Sequence, residues 1–220
     1  MIKAVLFDLD GTLSDSLASM ALAGNTVLEQ FGLPKMPVEN YRYYCGDGAA
    51  MLVKRALSEA GDKELQYFDK AYEAYQEVFR KDCTFNVKPY DGIQEMLASL
   101  QKKGIKIAVV SNKPHDRTID VVEKLFGLDA FDAVIGMKEG RKGKPDPAGA
   151  LETAQILGVV PSECAFVGDT NVDMKTGTNA GMLRIGVLWG FRDREELVEN
   201  GADEIVENPQ ELVEKLEQYK

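Results

Sequence analysis

Five short apolar runs recur along the chain: Ala4–Phe7, Ile105–Val110, Ala133–Ile135, Ala165–Val167 and Leu183–Leu188. They do not alternate with polar residues, so each reads as a β-strand buried on both faces. Longer stretches with apolar residues at helical spacing lie between the later runs: Gly92–Lys103, Arg117–Phe126, Pro147–Leu157 and Val172–Ala180. This succession predicts an α/β fold, a Rossmann-like parallel sheet in a three-layer α/β/α core with right-handed crossovers. In such sheets ligands collect beyond the carboxyl ends of the strands.

The rhythm breaks between residues 15 and 82, where no strand-like run occurs. Three helical stretches stand there, Leu17–Phe31, Gly48–Ala60 and Lys63–Lys81, interrupted at Gly32-Leu33-Pro34 and Gly61-Asp62. The pattern predicts an inserted helical domain over 15–82 and a core built from 1–14 and 83–220. The insert's aromatics include Tyr41, Tyr43, Tyr44, Tyr67, Phe68, Tyr72, Tyr75 and Phe79, and helical spacing assigns most of them to its core.

Composition narrows the function classes. The chain has 220 residues, 45% hydrophobic and 28% charged, which is too apolar for disorder. Its 36 acids against 26 bases give a net charge of −10, a poor basis for gripping nucleic acid by bulk charge. Much of that excess sits at the end of the chain: Asp193–Lys220 holds ten acids and three bases and reads as a solvated face. No apolar run approaches a membrane span, and Asp8 and Asp10 interrupt the N-terminal apolar stretch, so neither a membrane segment nor a signal peptide is expected. The widely spaced Cys45, Cys83 and Cys164 suggest reduced thiols and a cytoplasmic location, with Cys45, beside a glycine-rich turn, the most reachable.

Polar groups gather where the strands end. Asp8-Leu9-Asp10-Gly11-Thr12-Leu13 follows the first run, and Ser111-Asn112-Lys113 follows the second. Lys144-Pro145-Asp146-Pro147 precedes a helix, and Gly168-Asp169-Thr170-Asn171-Val172-Asp173 follows the fourth run. Asp8, Asp10, Asp169 and Asp173 on one sheet edge would repel one another unless a cation met them. Oxygen donors without thiol or imidazole suit Mg²⁺ and not zinc or copper. Ser111, the amides near Gly11 and Asn112, and the Lys144 ammonium suit a phosphoryl dianion. On an extended strand Asp8 and Asp10 share a face. One could attack phosphorus while the other moves protons.

These four motifs, in this order over nearly the whole chain, resemble those of the haloacid dehalogenase superfamily, in its phosphoglycolate phosphatase-like branch. The resemblance implies a helical cap for the insert and a small phosphorylated metabolite as substrate. It makes Asp8 the nucleophile and a metal ligand. Asp10 becomes the acid/base, ligating Mg²⁺ through its carbonyl. Asp169 binds the metal directly, and Asp173 acts through water or by orienting Lys144. Ser111 and Lys144 hold phosphate, with Thr12 and Asn112 as further contributors. Gly46 and Arg55, in a Gly46-Asp47-Gly48…Arg55 stretch, become candidates for substrate contact from the cap.

Asp10 argues against dehalogenases and phosphonate hydrolases. Phosphosugar mutases, pyrophosphatases and nucleotidases of the same build stay open, as does an inactive phosphate-binding module. Neither nucleic acid nor membrane is expected as a partner, and monomer and dimer are both open. His115 reads as a surface residue at a helix start. Trp189 reads as packing.

Overall fold

A computed structural model describes residues 1–219 of the chain. Its contacts divide it into two compact units, Met1–Asp15 with Pro89–Lys220, and Ser16–Lys88. Two-residue strands, β2 (Ser14–Asp15) and β3 (Lys88–Pro89), flank the helical segment in sequence.

The core unit is built on six parallel strands. They are β1 (Ala4–Phe7), β4 (Lys106–Pro114), β5 (Ala133–Met137), β6 (Cys164–Gly168), β7 (Leu183–Val187) and β8 (Glu204–Val206), in the spatial order β5-β4-β1-β6-β7-β8. β1 lies inside the sheet, paired with β4 on one side and β6 on the other. Every side chain of β1 is fully buried, which is why its sequence carries no polar alternation. The strand order reverses at β1, and a crevice opens beyond the carboxyl ends at such a switch point. Asp8 is the first residue past β1.

Alternation along the strands sorts the core into layers. Ala4 and Leu6 of β1 join Ala108 and Val110 of β4 and Phe166 of β6, all buried with Ala150, Ala154 and Leu157 of α7 (Ala148–Leu157). Helix α5 (Ile93–Lys102) packs on β4 and on α10 (Pro209–Leu216). Helices α6 (His115–Phe126) and α8 (Asn171–Ala180) follow β4 and β6 directly, and α9 (Arg194–Glu199) lies between β7 and β8.

Two strand ends depart from the apolar pattern. β4 runs four residues beyond Val110, through Ser111-Asn112-Lys113 to Pro114, where it pairs with Met137 after a register shift. Backbone pairing continues there although the side chains turn polar. β8 has three residues and begins with an acid, Glu204, too little for an apolar run.

The helical unit contains α1 (Leu17–Gln30), α2 (Tyr41–Tyr44), α3 (Ala49–Glu59) and α4 (Phe68–Asp82). α1 and α3 both pack on α4. Gly24 on α1 makes room for Tyr41: a Cβ there would lie 2.4 Å from the tyrosine ring. α4 starts at Phe68, not at Lys63. The Asp62 carboxylate accepts hydrogen bonds from the amides of Gln66 and Tyr67 at 2.9 and 3.0 Å, and Leu65 takes a left-handed φ of 54°, so the chain turns before it coils. Tyr41, Tyr44, Tyr75 and Phe79 are buried. Tyr43 and Tyr67 lie outside that core and are 66% and 41% exposed; Tyr43 is next to buried Tyr44 on a one-turn helix and points the other way. Cys45 is buried with its sulfur 3.3 Å from that of Met20, so the expectation of a reachable thiol is corrected.

Leu157 lies in the layer against the sheet, beside the amino-terminal end of β4, where its carbonyl accepts from Lys106, and not at the carboxyl ends that hold the polar motifs. Leu157→Ala is expected to destabilise the chain by about 2–5 kcal/mol through lost burial and a residual cavity. Urea unfolding should show a lower midpoint with an unchanged slope.

Candidate active site

The site grows out of the end of β1. Asp8 is buried, and its Oδ1 accepts a hydrogen bond from the Leu9 amide at 2.7 Å and an ion-pair contact from Lys144 Nζ at 2.8 Å. The chain then turns sharply. Gly11 has a φ of 90°, and the amides of Leu13 and Ser14 both bond the Leu9 carbonyl. This turn presses the backbone of Gly11 against Asp169, so that a Cβ at Gly11 would lie 2.2 Å from Asp169 Oδ2. No side chain other than hydrogen fits there.

Asp169, just past β6, is completely buried. Its Oδ1 accepts from the Thr12 hydroxyl at 2.8 Å and its Oδ2 from the Phe191 amide at 2.8 Å. Gly190 closes the other side; a Cβ there would lie 2.3 Å from Asp169 Cβ and 2.4 Å from the Gly11 carbonyl oxygen. Trp189 joins this enclosure by donating its indole N–H to the Thr12 carbonyl at 2.8 Å.

Asp173 sits in the first turn of α8. One oxygen accepts from both the amide and the hydroxyl of Thr170, at 3.0 and 2.7 Å, and closes a capping box. Its other oxygen holds Lys144 Nζ at 2.7 Å. Lys144 therefore bridges Asp173 and Asp8 with one ammonium that is itself buried. Asn112 fixes the Lys144 backbone. Its side-chain amide donates to the Lys144 carbonyl at 3.0 Å and accepts from the Lys144 N–H at 2.8 Å.

The electrostatics follow from this packing. Burial pushes the Asp8 carboxyl up to about 7. Lys144 opposes the shift, while Asp173 and then Asp10 reinforce it. Burial raises Asp169 well above the ordinary carboxylate range, with Asp173 and Asp8 adding to it. Burial alone would lower the Lys144 ammonium, but Asp173 and Asp8 outweigh it and hold it above its usual value. Asp8, Asp169 and Asp173 bring one oxygen each within 4.8 Å of one another.

Oxygen donors, raised carboxyls and the absence of thiol or imidazole from this cluster together fit a hard divalent cation. Asp169 makes the strongest case. It is a fully buried carboxylate whose hydrogen bonds come from a hydroxyl and an amide, groups that steer it without cancelling its charge. Asp173 is less suited, because both its oxygens already serve Lys144 and Thr170.

The sequence candidates of the core lie together at these strand ends. The Thr12 side chain is fully buried and its hydroxyl donates to Asp169. The Asn112 side chain clamps the Lys144 backbone. Ser111 is buried at the end of β4, and its oxygen accepts the Lys113 amide at 3.2 Å. Asp10 lies two residues past Asp8, and its carboxylate is held by the buried Lys113 ammonium at 2.6 and 2.8 Å. Sequence reasoning gave Lys113 no task, although its place two residues after Ser111 on one strand face was a usable signal.

Gly46 and Arg55 belong to the helical unit. There Arg55 contacts Asp47 at 2.5 Å and the Tyr44 carbonyl at 3.0 Å, and Gly46 takes a φ of 111°. His115 is half-buried at the start of α6; its Nδ1 accepts the Gly136 amide at 3.1 Å, and burial lowers its pKa, helped by Lys138 and Arg141.

Residues 5–187 match the family model of the haloacid dehalogenase-like hydrolases. A phosphoglycolate phosphatase of Neisseria meningitidis is 32% identical over all of this chain and 95% of its own length. One from Aquifex aeolicus is 37% identical over 86% of each chain. A crystal structure from Lactobacillus delbrueckii subsp. bulgaricus, provisionally designated a phosphoglycolate phosphatase, superposes with a TM-score of 0.91 at 32% identity, covering 97% of this chain and 98% of its own. Among the described residues no helix is long and apolar enough to cross a membrane.

A carboxyl whose pKa is raised on folding favours the folded chain below its unfolded value, 3.8 for Asp8, and that contribution disappears as pH rises toward about 7. A divalent cation acts in the opposite sense, because it binds the carboxylate form. The thermal midpoint of chelator-treated protein should therefore rise more on adding a divalent cation at about pH 7.5 than at about pH 5. Equal increments at both pH values would contradict the cation assignment.

Proposed function

The chain belongs to the haloacid dehalogenase-like hydrolases and is a phosphoric monoester hydrolase, and we propose that it hydrolyses a small phosphate monoester, phosphoglycolate or a close relative, with Mg²⁺ and an aspartyl-phosphate intermediate on Asp8. The observation that carries this reading is the buried triad of Asp8, Lys144 and Asp173 beside Asp169, with a second carboxyl two residues along at Asp10.

The chemistry divides among these side chains. An Asp8 oxygen forms a bond to phosphorus as the bond from phosphorus to the leaving oxygen breaks. Asp10 gives its proton to that oxygen, and the alcohol departs. A water then loses a proton to Asp10 and attacks phosphorus, the Asp8 oxygen–phosphorus bond breaks, and inorganic phosphate leaves. Lys144 keeps the nucleophilic carboxylate charged and presents its ammonium to the phosphoryl oxygens, with the Ser111 hydroxyl beside it. The Asp8 and Asp169 carboxylates and the Asp10 carbonyl would hold Mg²⁺, which when bound supplies positive charge to the transferring group.

The substrate names come from the relatives; the site's own contribution is the reaction class. Four carboxylates with two lysines suit a dianionic phosphoryl group once a cation is present. Asp8 is the residue on which everything turns.

Asp8→Asn should abolish Mg²⁺-dependent phosphate release while leaving the circular dichroism spectrum and the thermal transition folded in character. The check is a screen of phosphomonoesters and pyrophosphate, with and without Mg²⁺, run on both proteins. Normal turnover by Asp8→Asn would remove the nucleophile assignment. Preferential release from pyrophosphate or nucleotides would redirect the substrate class.

A further inference from the structure

Two lysines reach the acidic edge, and they are not equivalent. Lys144 stands between Asp8 and Asp173. Lys113 comes from the far end of β4 and spreads its ammonium across both oxygens of Asp10, at 2.6 and 2.8 Å. Its side chain is only 2% exposed, while that of Asp10 is 15% exposed. Lysine is seldom buried so deeply unless it is paired. A buried ion pair is also a weak device for stability, because desolvation offsets the attraction. The arrangement asks for another purpose.

The backbone around Lys113 is fixed from several directions. β4 shifts register between Val110 and Pro114, and such irregularities re-aim side chains at a strand end. Lys113 N–H is held by Ser111 Oγ at 3.2 Å, and the Lys113 carbonyl accepts the Thr118 hydroxyl at 3.1 Å. Pro114 confines the residue before it to extended backbone. Gly136, on neighbouring β5, leaves no space for a side chain near this segment: a Cβ would lie 2.9 Å from the Lys113 carbonyl oxygen and 2.4 Å from Thr118 Oγ1. The stem of Lys113 is anchored before its ammonium meets Asp10.

We propose that Lys113 is the positioning residue of Asp10: its ammonium holds the carboxylate by both oxygens in the base form, and in the acid form keeps one oxygen while the other carries the proton toward the leaving oxygen. The proposal rests on the acid role given to Asp10 above. Asp10 follows Leu9 on a turning segment, not on a strand, and the peptide next to it is a glycine with free backbone choice. A short carboxylate on such a segment has several rotamers, and the Lys113 ammonium selects one. Lys113 itself touches neither phosphorus nor the leaving group in this role.

The test uses two substrates that differ in their need for a proton. Phosphoglycolate expels an alkoxide, which needs protonation; p-nitrophenyl phosphate expels a stable phenolate, which does not. The value of kcat/KM reports the step that expels the leaving group. Lys113→Met should lose about 100-fold or more in kcat/KM on phosphoglycolate and less than about tenfold on p-nitrophenyl phosphate, as should Asp10→Asn. The double variant should be no slower on phosphoglycolate than Asp10→Asn alone, because the two residues act as one unit.

Equal losses on the two substrates would overturn the proposal in favour of a phosphate contact by Lys113. Losses that multiply in the double variant would overturn it as well, and so would a fall in thermal midpoint with unchanged kinetics. If Asp10→Asn itself shows no selectivity between substrates, the acid role fails and this proposal falls with it; selectivity in Asp10→Asn but not in Lys113→Met removes the present proposal alone. Should Lys113→Met fail to fold, Lys113→Gln, which keeps a polar end in the same space, serves for the same comparison.

Discussion

One ammonium group stands between two buried carboxylates, and the rest of the site is arranged around it. Lys144 Nζ lies 2.8 Å from Asp8 and 2.7 Å from Asp173, with all three side chains withdrawn from water. Remove the lysine, and two like charges face each other in a low-dielectric pocket, a state that forces one of them to take up a proton. The surrounding bonds serve its placement. Asn112 grips its backbone on both sides, and the Thr170 capping box turns Asp173 toward it. The charge of Asp8 and the orientation of Asp173 both depend on that single point.

The sheet makes such a concentration possible. β1 is wholly apolar, fully buried and flanked on both sides by parallel strands, so its end is held from both sides. The motifs that converge there are spread along the chain from Asp8 to Asp173. Parallel pairing brings their strand ends level, and the topological switch at β1 leaves the crevice into which they point. Burial then does the chemical tuning, raising Asp8 and Asp169 together.

Much of this was legible in the residues. Continuous apolar runs gave away the doubly covered strands, and the placement of acids, Ser111 and Lys144 at their ends pointed to phosphoryl chemistry. What stayed hidden was the traffic between neighbours. The side chains of Thr12 and Asn112 could face a ligand or a neighbouring segment, and here the Thr12 hydroxyl bonds Asp169 and the Asn112 amide bonds the Lys144 backbone. No residue-level rule distinguishes the two uses, because each depends on which segment lies a few ångströms away. The polar end of β4 hid for the same reason, its strand character residing in backbone pairing with Met137 and not in its side chains. Residue patterning also failed at Asp62, whose carboxylate ends one turn and delays the start of α4.

The glycines around Asp169 have a consequence of a different kind. Gly11 and Gly190 meet this carboxylate from two sides at distances that a single methyl group would close. They contribute no charge, no proton and no hydrogen-bonding side chain, yet they define the volume in which the carboxylate can exist. The information content of this centre therefore lies partly in empty positions. A search for functional residues that looks only at reactive groups would read the acids and pass over the hollows that hold them. Altering the chemistry of this protein by design would mean conserving a shape as strictly as a set of donors.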